Sequence, residues 1–469
     1  MTYTSSTTRA LISAGGKVSD MTKVIVMSPV ITLSYAGCSR SRRPRWGASG
    51  TVQIPSEGAV TREHPPDARA FVVTTHPTYC TILSTNYLPK ALALADSLRR
   101  HEDGASLKIL FIDIGNDDGL PRLTGVECLS TASLGLPHRT LLHFAMAYDL
   151  VEFATAVKPL LLKALLEEND QVVYLDPDTY LTSPMIELSP ALQAAAGGIL
   201  LTPHFLRPTP PDAEITEGHM LLAGVFNLGF CAVDRRAHEF LDWWWGHLRH
   251  ECLYDPLSGL FYDQKWMDIG STLFEAGSFR HSGYNVGVAN LPERPLALDA
   301  DGYYISSNGE RLRLFHFHAF DSSTPEKLSM RFRHSSENLL PSHSVVLGLC
   351  REYAAILSSF EQSLPPAPPY PYATDTRGRL ISRQLRRAYR VESQACGISL
   401  PSPFEPSEAG EYEKWRRRAW QPIARGLLGD AAKCVRIVLP EEYERVKKRF
   451  PKLAERLNNR FSGGTGLWG

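Results

Sequence analysis

The sequence predicts an α/β protein built on a mixed, mostly parallel sheet flanked by helices. Three observations predict it. Short β-branched apolar runs alternate with segments of helical periodicity. A strand, a helix and a second strand fit within Tyr79–Ile112, the size of one βαβ unit. Polar residues (Thr85, Asn86, Asp113 and Asp176) stand where strand runs stop, the place where such sheets bind ligands.

Each element has its own signal. Cys80-Thr-Ile-Leu-Ser84 is a short apolar run and reads as a strand. Tyr87 to His101 places Leu88, Ala91, Leu94, Ala95 and Leu98 on one helical face. Leu107–Ile112 is the next strand and stops at Asp113. Leu141–Glu168 reads as mostly helical, with Pro159 opening a new helix after Lys158. Gln171-Val-Val-Tyr-Leu-Asp176 is a strand that ends in Asp-Pro-Asp-Thr. Phe226–Val233 is a third clear strand, and Arg235–His250 a helix with Phe240, Trp243, Trp244 and His247 on one side. Leu312–Phe320 reads as a late strand. Leu364–Pro371 is a stiff, Pro-rich linker. A basic helix (Arg383, Arg386, Arg387, Arg390) and a charged helix near Glu441–Phe461 follow it.

These signals divide the 469 residues into four parts. Residues 1–68, rich in Ser, Thr, Gly and Pro, read as a disordered extension or as residues upstream of the natural start. The catalytic-size unit is 69–363, the linker 364–372, and the helical C-terminal region 373–469. Lys+Arg and Asp+Glu both number 50, so the chain lacks the basic excess of a nucleic-acid binder. Apolar residues make up 43%, enough to rule out wholesale disorder. No run of about 18 apolar residues marks a membrane span. Val24–Gly37, broken by Pro29 and hydroxyl residues, is a poor leader sequence. The eight cysteines are scattered without a CxxC, which points to buried thiols in a reducing compartment and a cytoplasmic location. The basic helix reads as a solvated face, with peripheral contact to acidic lipid or glycan as its alternative.

Five groups of residues carry candidate chemistry. Asp176-Pro-Asp178 follows a buried strand, so two carboxylates can point at one hard cation; alone, such an Asp-x-Asp is an ordinary turn. His316 and His318 share a strand face, and a neutral imidazole can supply a third ligand; alone, each is a core histidine. Asn227 offers a donor and an acceptor beside Gly229, where backbone can approach a ligand; the alternative is a turn before a strand. Asp263 and Gln264 can bond sugar hydroxyls, with Trp266 as an apolar face; the alternative is a helix start capped by Asp263. Lys158 ahead of an apolar helix can meet phosphate, or simply be solvated.

An ordered series then becomes visible. It runs Cys80-Thr-Ile-Leu-Ser-Thr-Asn86-Tyr87, Lys158-Pro159, Val173-Tyr-Leu-Asp176-Pro-Asp178 and Gly224-Val-Phe-Asn227-Leu-Gly229-Phe230. It continues through Asp263-Gln264-Lys-Trp266, Gly283-Tyr-Asn285-Val to Asn290, and Phe315-His316-Phe. Over roughly residues 78–345 the chain resembles a nucleotide-sugar-dependent glycosyltransferase of the GT-A fold. It is family 8-like, related to the glycogenin and lipopolysaccharide galactosyltransferase group of bacterial transferases. The resemblance implies a nucleoside-diphosphate-sugar donor, a hydroxylated acceptor (glycan, lipid-linked or small molecule) and retention of anomeric configuration. It implies that Asn86, with the strand end before it, holds the nucleotide base and ribose, that Thr85 and Tyr87 beside it also bind substrate, and that Lys158 sits near the donor. It implies that Asp176, Asp178 and His316 hold Mn2+ or Mg2+. Asn227, Asp263 and Gln264 would then contact the transferred sugar, with Gln264 at the reacting face and Asp263 catalytic beside it, and Gly229, Asn285 and Asn290 would also bind substrate. The late family pattern His-x-x-Gly-x-x-Lys-Pro-Trp is not kept: after His316 the glycine and tryptophan are missing, which leaves the role of Lys327 open. That departure favours, as an alternative, a non-catalytic relative that binds sugar nucleotide or glycan. A nucleotidyltransferase would want a Gly-rich basic loop after the first strand, and Ser84-Thr-Asn-Tyr87 is not one.

Overall fold

A computed structural model of the chain describes residues 76–449, apart from 211, 212, 214, 332–339, 342, 343 and 397–399. The expected extension, residues 1–68, and the end of the expected last helix lie outside these described residues. The first unit is as the periodicity predicts. Strand β1 (Thr78–Leu83) leads through α1 (Leu88–His101) to β2 (Leu107–Phe111). Leu88, Ala91, Leu94 and Leu98 bury one face of α1, Pro89 sits in its first turn, and Arg99, Arg100 and His101 close its last turn, where cations suit the helix dipole. Strand β3 (Val126–Ser130) follows.

The segment expected as one broken helix is three: α2 (His138–Ala147), α3 (Leu150–Ala156) and α4 (Lys158–Leu166). Asp149 and Glu152 form a capping box that starts α3 afresh, and the Lys158-Pro159 start of α4 falls where expected. Next come β4 (Gln171–Leu175), β5 (Thr179–Leu181), α5 (Leu188–Ala194), β6 (Ile199–Pro203), α6 (Glu217–Ala223), β7 (Phe226–Asp234) and α7 (His238–Glu251). A short ribbon, β8 (Tyr254–Asp255) with β9 (Leu260–Phe261), precedes α8 (Met267–Leu273), β10 (Gly277–Ser278) and β11 (Val286–Gly287). The hairpin of β12 (Leu296–Asp299) and β13 (Gly302–Ile305) is followed by β14 (Leu314–His316). The late strand is thus shorter than the apolar run Leu312–Phe320 suggests, because its partner β5 has only three residues to pair.

The central sheet has the order β10-β6-β7-β4-β1-β2-β3. It is mostly parallel; β7 alone runs against both neighbours. One face carries the core of Ile82, Leu162, Val172, Phe240 and Trp244, and the other packs α1 and α5 around Leu83, Leu94, Val173 and Leu192. Full burial of one such side chain contributes about 1.5–3 kcal/mol. Strand residues alternate between the two cores, so the chain is buried on both sheet faces, as a helix-covered sheet requires.

A second, small sheet has the order β11-β14-β5. Its antiparallel register sets His316 opposite Thr179. Helix α9 (Val345–Ser363) covers this region with Leu349, Tyr353 and Leu357, and Phe317 stacks on Tyr353 at 3.8 Å. Residues 365–370 run without regular structure to α10 (Arg383–Cys396). Helices α11 (Ala409–Arg418), α12 (Trp420–Val438) and α13 (Pro440–Arg449) complete the described chain. Leu385, Tyr389, Tyr412 and Trp415 pack with Met146 of α2. The basic helix is not the solvated face expected of it. Arg386 is buried and donates to the Tyr148 carbonyl at 2.9 Å, and Arg390 donates to that of Ala147 at 2.8 Å. Together they satisfy the exposed carbonyls at the end of α2.

Candidate active site

The two sheets meet at the end of β4. Asp176 extends the β4–β7 ladder by one bond, its N–H donating to the Gly229 carbonyl at 2.9 Å. A tight turn follows: the Thr179 N–H and hydroxyl both donate to the Asp176 carbonyl, at 3.0 and 2.8 Å. The Phe317 N–H donates to the Asp178 carbonyl at 2.8 Å, which locks β14 beside the turn. Three side chains converge as a result. His316 Nε2 stands 3.2 Å from Asp178 Oδ1 and 3.7 Å from Asp176 Oδ2. One ligand atom from each of the three lies within 4.8 Å of the others.

The imidazole is oriented from behind. The Asn285 amide donates to Thr202 Oγ1 at 2.8 Å and to the Asn227 carbonyl at 2.9 Å. That leaves Asn285 Oδ1 to accept from His316 Nδ1–H at 3.0 Å. With Nδ1 carrying the proton, the lone pair of a neutral ring is on Nε2. Nε2 is buried, has no aligned hydrogen bond, and faces two carboxylates. A lone pair facing two anions is unfavourable unless a proton or a cation stands between them. Two carboxylate oxygens and one imidazole nitrogen suit a divalent ion such as Mn2+ or Mg2+, so the donor set fits the group the sequence implies.

The electrostatics agree with that fit. Burial lowers the His316 pKa, but Asp178 and then Asp176 outweigh it, and the ring titrates above its ordinary value. Burial works to raise Asp178, yet His316 and Lys90 hold it well below the usual carboxylate range. Burial dominates at Asp176 and raises its pKa against Lys158 and His316. His318 is not part of the cluster. Its ring centroid is 5.5 Å from that of His316, and burial, then Arg331, push its pKa down to about 3. The sequence leaves open which histidine joins the two carboxylates, and the geometry brings His316 to them.

Gly229 was expected to admit a ligand. Instead it makes room for His316, because a Cβ there would collide with the imidazole ring. Lys158 was expected to face phosphate, but its side chain is 2% exposed. Its Nζ donates to Asp263 Oδ2 at 2.6 Å and to the Leu228 carbonyl at 3.2 Å, and lies 4.1 Å over the Tyr174 ring. Tyr174 in turn donates to Asp176 Oδ1 at 2.8 Å. The pair Lys158–Asp263 therefore stands behind a metal-ligand candidate. Asp263 caps nothing; its carboxylate is occupied by Lys158.

Gln264 spans two elements, donating to the Ala223 carbonyl at 3.0 Å and accepting from Leu228 N–H at 3.3 Å. Asn227 Oδ1 accepts from Gly229 N–H at 3.0 Å. Asn290 is buried and ties Gly287 to His204 and Asn285. Asn285 itself takes φ +53°, a left-handed conformation that asparagine tolerates. Asn285 and Asn290 thus hold the scaffold and bond other protein groups.

Thr85–Tyr87 form a helical turn at the end of β1, where the Thr85 N–H donates to Asp113 Oδ2 at 2.7 Å. Asn86 and Tyr87 are exposed. Lys90 links this turn to the cluster: its Nζ is 4.9 Å from the Tyr87 ring centroid and 3.9 Å from Asp178 Oδ2. Sequence reasoning passed over Lys90 and Tyr174. Both had a local signal, since Lys90 is one helical turn from Tyr87 and Tyr174 shares a strand face with Asp176.

Comparison with known proteins adds the following. No family model matches the chain. Over 252 residues it is 27% identical to the uncharacterized protein YfnF of Bacillus subtilis (strain 168), spanning 52% of this chain and 81% of that protein. The galactosyltransferase LgtC in complex with donor and acceptor sugar analogues aligns with 60% of this chain and 95% of its own, at 15% identity and a TM-score of 0.35. Mouse xyloside xylosyltransferase 1 in its apo form aligns with 51% of this chain and 97% of its own, at 12% identity and a TM-score of 0.31.

Proposed function

We propose that this chain is a metal-dependent glycosyltransferase that moves a sugar from a nucleoside-diphosphate donor to an acceptor hydroxyl. The observation that carries the reading is the buried Nε2 of His316, aimed at two carboxylates where the central sheet ends. Asp176, Asp178 and His316 would hold Mn2+ or Mg2+. When bound, that ion supplies positive charge to a leaving diphosphate.

The chain's own residues do the rest. Asn285 keeps Nδ1–H of His316 engaged, so Nε2 always faces the carboxylates. Tyr174 holds Asp176 in place, with Lys158 and Asp263 behind it. The exposed Tyr87 ring offers a face for a nucleobase, and Lys90 sets an ammonium between that ring and Asp178. Asn227 and Gln264 stand on the β7 side of the cluster, where the transferred sugar would lie. Because Asp263 is bound by Lys158, it is poorly placed to attack as a nucleophile. Retention by return of the acceptor to the departing face is the mechanism we read here. The described cysteines are free and mostly buried, in keeping with a cytoplasmic setting.

A second reading, a binding protein without turnover, is favoured by the missing glycine and tryptophan after His316. Hydrolysis of UDP-, GDP- and dTDP-sugars with and without Mn2+ separates the two. Metal-dependent release of nucleoside diphosphate supports the transferase. Metal-dependent binding without release supports the second reading, and absence of binding refutes both.

A further inference from the structure

Helix α12 has an unusual outer face. Its inner side packs on the rest of the chain. Ile423 joins the cluster around Trp415, Asp430 pairs with Arg387 on α10 at 2.9 Å, and Lys433 donates to Ser258 at 2.7 Å. The opposite side should then be polar, as on an ordinary surface helix. It is apolar instead. Trp420, Leu427, Leu428, Ala431, Val435 and Val438 recur at helical spacing, and all are exposed. Trp420 is 65% exposed, Leu428 60% and Val438 72%. Leu439, 51% exposed, follows the stripe just past the end of the helix.

The charges along this face narrow the occupant. Arg425 and Arg436 lie along one edge of the stripe, both exposed, with no ion-pair partner among the described residues. The one carboxylate of α12, Asp430, is already taken by Arg387. A second copy of the helix packed on this face would bring unpaired arginines together without an anion on the face to meet them. An anionic surface with an apolar layer beneath it satisfies both the cations and the stripe. No described helix is long and apolar enough to cross a membrane, so the contact would lie along the surface.

We propose that the outer face of α12 docks on an anionic lipid bilayer, with Trp420, Leu427, Leu428 and Val438 in the acyl boundary and Arg425 and Arg436 on the headgroups. The helix named by the sequence as a lipid-docking alternative, α10, is not the contact, because Arg386 and Arg390 are turned inward.

The test is co-sedimentation of the full chain with vesicles of phosphatidylcholine alone or with roughly one-third phosphatidylglycerol. The full chain should sediment with the anionic vesicles, and high salt should weaken it. Leu427→Ser/Leu428→Ser and Arg425→Gln/Arg436→Gln should each bind on the order of ten-fold more weakly. All four side chains are exposed, so the far-UV spectrum and donor hydrolysis should not change. Failure of the wild type to bind anionic vesicles overturns the proposal. So does binding that neither variant weakens. A wild-type dimer in light scattering that the leucine variant dissociates, with no vesicle binding, overturns it in favour of a second copy.

Discussion

Replacing Lys158 by methionine should unfold the chain more readily and should do so through Asp263. The ammonium and carboxylate lie 2.6 Å apart, with side chains only 2% and 6% exposed. Methionine fills the space of the aliphatic stem but leaves the Asp263 carboxylate buried without its cation. Breaking a buried pair from one side costs about 3–5 kcal/mol. The contact with the Tyr174 ring at 4.1 Å is lost as well, which puts the expected cost toward the upper part of that range. Thermal and urea unfolding followed by circular dichroism would measure it. Lys158→Met/Asp263→Leu removes the stranded charge and should recover most of the loss, giving a coupling of roughly 3 kcal/mol in the double-mutant cycle. A cost below about 1 kcal/mol, or no recovery in the double variant, would refute the buried pair. Lys158 would then be available to meet a donor phosphate after all.

Four further outcomes are expected. Asp178→Ala should lose metal-dependent donor binding and slow transfer by on the order of a hundred-fold or more, as removal of a preorganised charge does; undiminished Mn2+ binding by calorimetry would sink the metal assignment. Because the His316 pKa is raised without metal, the stability it lends is present at low pH and lost as pH rises through that raised value, and an incoming cation must displace its proton. Mn2+ affinity should therefore rise from pH 6 toward pH 8, by up to about ten-fold per pH unit, and a flat profile would contradict this. Gly229→Ala should weaken Mn2+ by at least roughly ten-fold, since its methyl displaces His316; unchanged affinity would show that the ring can move aside. Lys90→Ala should weaken a nucleoside diphosphate by about ten-fold while sparing the free nucleoside, and Lys90→Arg should restore it; equal loss for both ligands would place Lys90 elsewhere.

Much of this could be read along the chain. The β1–α1–β2 unit, the strand before Asp176 and the helix with Trp244 follow from apolar spacing, and spacing is a local property. Asp176 and Asp178 were legible for the same reason: a buried strand must stop, and the residues at its stop face outward. The breaks among α2, α3 and α4 were harder, because apolar residues continue across them and the Asp149–Glu152 capping box decides where α3 starts. The very short strands β10 and β11 carry too few residues for any periodicity to register.

What the sequence by itself determined was the set of chemical groups: two carboxylates after one strand, two histidines two residues apart at another, a lysine ahead of an apolar helix. Their partners were decided in three dimensions. Pairing of β14 with β5 brings His316 to Asp178 across more than a hundred intervening residues and leaves His318 outside. Lys158 is sealed by Asp263 from equally far along the chain, and the arginines of α10 turn toward carbonyls of α2. A charge is defined by what faces it, and which surfaces come face to face is settled only when distant segments pack.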